Sequence, residues 1–201
     1  ALKLAMADRE AHYGDPADSE IPVETLLSRD YAARRRTLID ETASTEQRPG
    51  LIPGFEDRAK AAIARAAAPV AAAGAGAGEP TMAHLAAGAA AGGATPVAER
   101  GDTVHLDVID RWGNAVSATP SGGWLQSSPV VPGLGMPLNS RAQMFWLEEG
   151  LPTSLAPGRR PRTTLSPSMA RSDAGDWLAF GTPGGDQQDQ WQLIYFLRLV
   201  H

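Results

Sequence analysis

Thr103-Val104-His105-Leu106-Asp107-Val108-Ile109-Asp110 is the stretch on which the reading of this chain turns. Val104, Leu106 and Val108 alternate with His105, Asp107 and Ile109, the period of two that belongs to a strand. Asp110-Arg111-Trp112-Gly113-Asn114 follows with turn chemistry, and Ala115-Val116-Ser117-Ala118-Thr119 supplies a second strand, so a β-hairpin is expected. Directly upstream the chain is an Ala/Gly-rich tract that cannot build a core. A cut at Asp102-Thr103 would make Thr103 an N-terminal residue, with a free α-amine beside its hydroxyl. Nucleophile and base would then sit in one residue. His105, two residues on, shares the strand face of Thr103, and a lone strand histidine reads as a packed or surface residue.

Upstream, residues 1–58 have helix-like composition interrupted by Gly14-Asp15-Pro16 and Pro22. Ser28 is placed to cap a helix whose Tyr31, Leu38 and Ile39 share one face. The Arg34-Arg35-Arg36 run reads as a solvated face. Residues 59–102 contain repeats such as Ala71-Ala72-Ala73-Gly74-Ala75-Gly76-Ala77-Gly78. Side chains this small cannot offset the ~1–2 kcal/mol of backbone ordering per residue, so a flexible tether is expected.

Downstream, Trp177-Leu178-Ala179-Phe180 reads as a strand, then come Gly181-Thr182-Pro183-Gly184-Gly185-Asp186 and a helix. Trp191, Ile194, Tyr195 and Leu199 recur at i, i+3, i+4 and i+8, which predicts one buried apolar face. Gly184 and Gly185 serve either as a plain turn or as two backbone N–H donors at a helix start, where negative charge is favoured. The P-loop lysine and spacing are absent, which disfavours nucleotide binding. Ser121-Gly122-Gly123-Trp124 and Thr163-Thr164-Leu165-Ser166-Pro167 gather hydroxyls that ordinarily bond to nearby backbone.

The whole composition narrows the function classes. The 201 residues fit one large or two small domains, and the 43% apolar fraction is inflated by alanine. A net charge of −5 speaks against an extended nucleic-acid surface. No run approaches the roughly 18 apolar residues of a membrane span. With no cysteine, thiol nucleophiles, disulfides and cysteine zinc sites are excluded, and the four histidines show no metal-ligand spacing. Both ends read as cut, which points to an internal piece of a longer protein and leaves the compartment open.

Taken together, the motifs resemble the γ-glutamyltransferase (γ-glutamyltranspeptidase) family of N-terminal-nucleophile hydrolases. Ala7-Asp8-Arg9-Glu10 through Gly14-Asp15-Pro16, Pro22-Val23-Glu24 and Leu27-Ser28 are similar to the end of its large subunit. Gly101-Asp102-Thr103, Asp110 through Ser117, Arg162 through Pro167 and Gly181 through Gly185 are similar to the start and middle of its small subunit. The resemblance implies an α+β fold, the αββα sandwich, incomplete in this fragment. Residues 1–58 would close the large subunit, 59–102 would be the linker ending at the autocleavage site, and 103–201 would open the small subunit.

For the site, the resemblance implies autocleavage between Asp102 and Thr103 and makes Thr103 the nucleophile. It places Ser121 as the hydroxyl contacting that nucleophile, Gly184 and Gly185 as oxyanion donors, and Thr163 with Thr164 on a substrate carboxylate. The substrate would be a small amide or γ-glutamyl peptide, the acceptor an amino acid, a peptide or water, and the partner the remainder of its own two subunits. No cofactor or metal is implied, and a periplasmic or secreted location fits the family without excluding the cytoplasm. Three positions depart from the family pattern: Arg141 and Met144 stand where polar and acidic residues hold the substrate's α-ammonium, and Gly123 replaces an asparagine. An arginine repels a cation and suits a carboxylate, so Arg141 is a candidate for the acyl groups of glutaryl or cephalosporin acylases, with a plain surface arginine as the alternative. An uncleaved relative serving as a structural or binding module is the reading outside enzymology.

Overall fold

The computed structural model describes residues 1–67, 103–122 and 129–201. Most of the expected tether and the junction residue Asp102, with Gly123 and Trp124, lie outside them. The described chain forms two compact units, residues 1–67 with 145–162, and residues 103–122 with 129–144 and 163–201. This division differs from the expected order of consecutive segments, because 145–162 joins the first unit.

In the first unit, α1 (Leu2–His12) packs on α4 (Glu56–Ala67) through small residues, with Ala7, Ala11, Ala59 and Ala62 buried beside Leu4. The chain therefore stays helical through Ala67, past residue 59 where the tether was expected to begin. Between them lie α2 (Val23–Leu26) and α3 (Arg29–Arg36). Ser28 caps α3 as expected, its Oγ accepting from Tyr31 N–H at 3.1 Å. Tyr31 is buried, but Leu38 and Ile39 lie beyond the helix end and stay exposed, so the expected shared face is not formed. Arg35 corrects the solvated-run reading: it pairs with Asp8 at 3.2 Å and donates to Leu4 O, whereas Arg34 and Arg36 are exposed. Burial pushes the Tyr31 hydroxyl well above its ordinary pKa.

One polar tie in this unit joins residues far apart in sequence. Arg160 Nη2 donates to Asp15 Oδ1 at 2.6 Å, Arg160 N–H donates to Asp15 Oδ2 at 2.8 Å, and Arg159 pairs with Asp18 nearby. The Arg160 side-chain bond, more than any other cause, holds the Asp15 carboxyl far below the usual carboxylate range. A folded-state value below the unfolded one gives stability that is present above about pH 4 and is lost as pH falls through the folded value. Asp15→Asn in the full-length protein is accordingly expected to lower the melting temperature at neutral pH, with the gap to the parent narrowing as the pH drops below about 4. A pH-independent gap in a thermal-denaturation series would contradict the linkage.

Among its described residues, the second unit is built from three two-stranded antiparallel sheets and one long helix. Strands β1 (Leu106–Ile109) and β2 (Ala115–Ala118) form the expected hairpin, with Leu106 opposite Ala118 and Ile109 opposite Ala115. Its turn is closed by Asp110, whose Oδ1 accepts from the N–H groups of Trp112 and Asn114 at 2.9 Å each. The Asn114 side chain also donates to Asp110, which lowers the Asp110 pKa. Short strands β3 (Val130–Val131) and β4 (Met136–Pro137) pair next, followed by a 3-10 turn over Arg141–Met144. Strands β5 (Ser168–Arg171) and β6 (Trp177–Phe180) make the last pair.

From β6 the chain passes through a glycine turn and a 3-10 turn, Gly185–Gln187, into α5 (Gln188–Val200). Phe180 of β6 stacks on Phe196 of α5, with ring centroids 5.6 Å apart and planes 4° apart. The apolar stripe of α5 is not its buried face: Trp191, Ile194, Tyr195 and Leu199 are each about half exposed, while Gln188 and Gln192 are buried. The glutamines turn inward because that face lies on the Ser166–Ser168 segment, whose backbone and hydroxyl donors need partners. Gln188 Oε1 accepts from Ser166 N–H at 3.2 Å, and Gln192 Oε1 accepts from Ser168 Oγ at 2.8 Å. Among the described residues, no helix is long and apolar enough to cross a membrane.

Candidate active site

The hairpin register continues past the strand ends and decides where the hydroxyls fall. Carried on from Leu106 opposite Ala118, it sets His105 against Thr119, Val104 against Pro120 and Thr103 against Ser121. Val104 N–H donates to Pro120 O at 3.3 Å, which keeps the two chains paired to this end. Alternation then gathers Thr103, His105, Asp107, Ser117, Thr119 and Ser121 on one face. Thr103 Oγ1 and Ser121 Oγ lie 2.9 Å apart, a direct hydroxyl-to-hydroxyl hydrogen bond.

The same face seats the end of β6. Ser117 Oγ donates to Phe180 O at 3.3 Å, and the His105 ring lies against Gly181. Three residues later come Gly184, with φ +134° and ψ 23°, and buried Gly185, with φ +56°. At Gly184 a side chain would strike the Trp191 ring, since an added Cβ would stand 2.3 Å from its Cζ3. Both glycines precede α5, so their N–H groups belong to the electropositive end of a helical run.

The remaining candidates belong to the same unit. Thr164 is buried at 2% exposure, whereas Thr163 is exposed and its Oγ1 accepts from Leu165 N–H at 3.1 Å, a local bond of the ordinary kind. Ser166 bonds to Asp189 of α5 and so ties this loop to the helix behind the glycine turn. Arg141 is not a surface arginine: it is 8% exposed, and Met144, three residues on, is fully buried. Arg141 N–H donates to Asn139 Oδ1 at 2.7 Å. The Asn139 side chain lies against Gly122, next to Ser121, so the Arg141 turn adjoins the end of the hairpin that holds the Thr103–Ser121 bond. Thr103 and Ser121 are in direct side-chain contact, and Gly184 and Gly185 connect to them through His105 and Gly181.

Four participants escaped sequence reasoning: His105 as a bridging group, Asn139, Gln188 and Gln192. The hairpin register was the available signal for His105, because it places that ring opposite Thr119. Among the described residues no three of His, Asp or Glu cluster closely enough to hold a metal ion. The chemistry on offer is that of a hydroxyl polarised by a second hydroxyl, near a glycine turn able to meet negative charge.

The gamma-glutamyltranspeptidase family model matches residues 1–201. Oxamate amidohydrolase proenzyme of Klebsiella pneumoniae subsp. pneumoniae is 36% identical over 201 residues, covering 100% of this chain and 29% of that protein. Acylase ACY 1 proenzyme of Pseudomonas sp. (strain SE83) is 30% identical, over 92% of this chain and 25% of the relative. Glutathione hydrolase proenzyme of Pseudomonas sp. (strain A14) is 26% identical, over 100% and 30% respectively. Two solved structures of LmbA2991 are similar at a TM-score of 0.69, with 55% and 54% identity over 97% of this chain and 29% of theirs. The chain thus spans 25–30% of the length of these curated relatives. A match that runs from the first residue to the last, through relatives that are themselves proenzymes, establishes that this chain belongs to the gamma-glutamyltranspeptidase family of N-terminal-nucleophile hydrolases.

Proposed function

We propose that the full-length protein is an amide-cleaving acyltransferase or hydrolase that cuts itself between Asp102 and Thr103 and then uses Thr103 as an N-terminal nucleophile. The observation that carries this reading is the 2.9 Å bond between Thr103 Oγ1 and Ser121 Oγ in a chain matched to the family throughout. In the precursor, Thr103 Oγ1 attacks the Asp102 carbonyl, the peptide C–N bond breaks to free the α-amine and leave an ester, and water hydrolyses that ester to the Asp102 carboxylate and the Thr103 hydroxyl. That amine, with a reference pKa near ~8, is partly unprotonated near neutral pH and takes the hydroxyl proton as Thr103 attacks a substrate amide. Gly184 and Gly185 N–H groups meet the oxyanion, the amine leaves, and water or an amino-acid or peptide amine resolves the acyl-enzyme. Thr163 and Thr164 hold a substrate carboxylate.

Under this reading residues 1–58 end the large subunit, the linker runs up to Asp102, and 103–201 begin the small subunit. The rest of the polypeptide completes the αββα sandwich. It would cover the apolar residues now exposed on the hairpin and on α5, among them Val104, Val108, Ile194 and Leu199. The Asp15–Arg160 pair would then hold together two pieces separated by the cut, since its members lie on either side of Thr103.

Mass spectrometry of the full-length protein, with and without a panel of acyl anilides, tests the reading. A piece beginning at Thr103 that gains the mass of an acyl group is expected. A protein that turns the anilides over while still uncut would overturn the scheme, and one that stays uncut and inactive would favour the structural-module reading. Ser121→Ala is expected to lower kcat about 10–100-fold by removing the hydroxyl that orients Thr103, and an unchanged kcat would show that the 2.9 Å bond is not used.

The burial of Arg141 favours a second reading of the acyl group. A buried guanidinium beside the hairpin end suits a dicarboxylic acyl chain, such as glutaryl, better than one bearing an α-ammonium. A clear preference for γ-glutamyl over glutaryl anilide would end it.

A further inference from the structure

His105 makes more contacts than a packed or surface histidine needs. Its side chain is 11% exposed, and both ring nitrogens are engaged. Nε2 lies 2.9 Å from Asp107 Oδ2, and Nδ1 lies 2.8 Å from Thr119 Oγ1, a residue 5% exposed. A carboxylate only accepts, so Nε2 carries the proton, and in the neutral ring Nδ1 accepts from the Thr119 hydroxyl. The ring face touches the third partner: an added Cβ on Gly181 would stand 2.2 Å from His105 Cε1. The imidazole occupies the place a side chain at 181 would take.

These contacts lie between two groups that must keep a fixed separation. On the hairpin, the His105–Thr119 rung is two residues from the Thr103–Ser121 rung, on the same face. On the other side, Gly181 is three residues before Gly184. We propose that His105 is a positioning residue, a spacer that holds the hairpin carrying Thr103 at a set distance from the turn carrying Gly184 and Gly185. It touches neither substrate nor reacting atoms; it acts through Thr119 and Gly181. The inference rests on the reading of Thr103 as nucleophile and of the glycine turn as oxyanion site.

A spacer of this kind affects the chemical step more than ground-state binding, because a misplacement of about 1 Å between reacting groups costs on the order of 100-fold. In the matured full-length protein, His105→Ala is expected to lower kcat on the preferred acyl anilide about 10–100-fold, counted per site by the mass adduct on Thr103, with KM changed less than about 3-fold. His105→Asn keeps an acceptor within reach of Thr119 and is expected to recover part of that loss. If His105→Ala yields no matured protein, Gly181→Ala carries the test: it keeps the ring but forces it away, and the same fall in kcat is expected. A per-site kcat equal to the parent's, with only the yield or the melting temperature reduced, would overturn the proposal. Thr103→Ala runs alongside: turnover retained there would remove the nucleophile reading itself, whereas a dead Thr103→Ala beside parent-like His105 and Gly181 variants would remove the spacer alone.

Discussion

Thr103→Ala in the full-length protein is expected to leave a single uncut polypeptide and to lower amide turnover by about 10⁴-fold or more, the scale on which loss of a nucleophile acts. Two losses combine in one substitution. Without Oγ1 the Asp102 carbonyl is not attacked, so no α-amine is released, and without the amine no base remains beside the site. The chain has no cysteine that could take over as a thiol nucleophile. Ser121, at 2.9 Å, is the nearest substitute, but its own amine is locked in a peptide bond and it lacks the adjacent base. Thr103→Ser separates the two effects, since it keeps the hydroxyl and the amine while discarding the methyl that limits χ1 freedom. It is expected to mature and to retain a measurable fraction of activity. Intact mass reports the cut and anilide hydrolysis reports the turnover. An uncut Thr103→Ala protein working at the parent rate would mean that the chemistry lies elsewhere.

How much of this was legible in the sequence depends on whether the signal was local. The hairpin was legible because alternation from Val104 and the Asp110–Asn114 turn are properties of neighbouring residues, and the register they fix carries Thr103 to Ser121. The Ser28 cap and the Trp177–Phe180 strand were readable for the same reason. The face of α5 was not. Periodicity names the apolar stripe of a helix but not which side meets the described chain, and here the Ser166 N–H and the Ser168 hydroxyl drew Gln188 and Gln192 inward. Arg35 misled likewise, because a run of three arginines looks uniform until Asp8, more than 20 positions upstream, selects the middle one. Helix propensity in Glu56–Ala67 carried α4 into what composition alone read as a tether. At the site, sequence named the candidate residues but not the ring between them. His105 acquires its place from Gly181, a contact that only folding creates.

Gly184→Ala is expected to lower kcat about 10²–10³-fold, the range for losing one oxyanion donor, and to cost about 1–3 kcal/mol of stability. Two effects of a new methyl group compete. One is the contact with Trp191, 2.3 Å from the added Cβ to Cζ3, which a rotation of that side chain can relieve. The other is the backbone itself: φ +134° lies where L side chains rarely go, and no side-chain rotation relieves it. The backbone effect therefore dominates, and the chain escapes it by rotating the 184–185 peptide, which turns the Gly185 N–H away from the oxyanion. Because that movement weakens the transition state more than ground-state binding, kcat falls while KM changes little. The double variant Gly184→Ala with Trp191→Leu decides between the two effects. It removes the ring contact and leaves the strained φ, so it is expected to stay as slow as Gly184→Ala alone. Recovery of the parent kcat in the double variant would assign the loss to the indole instead, and would show that the donors at this turn tolerate an ordinary backbone.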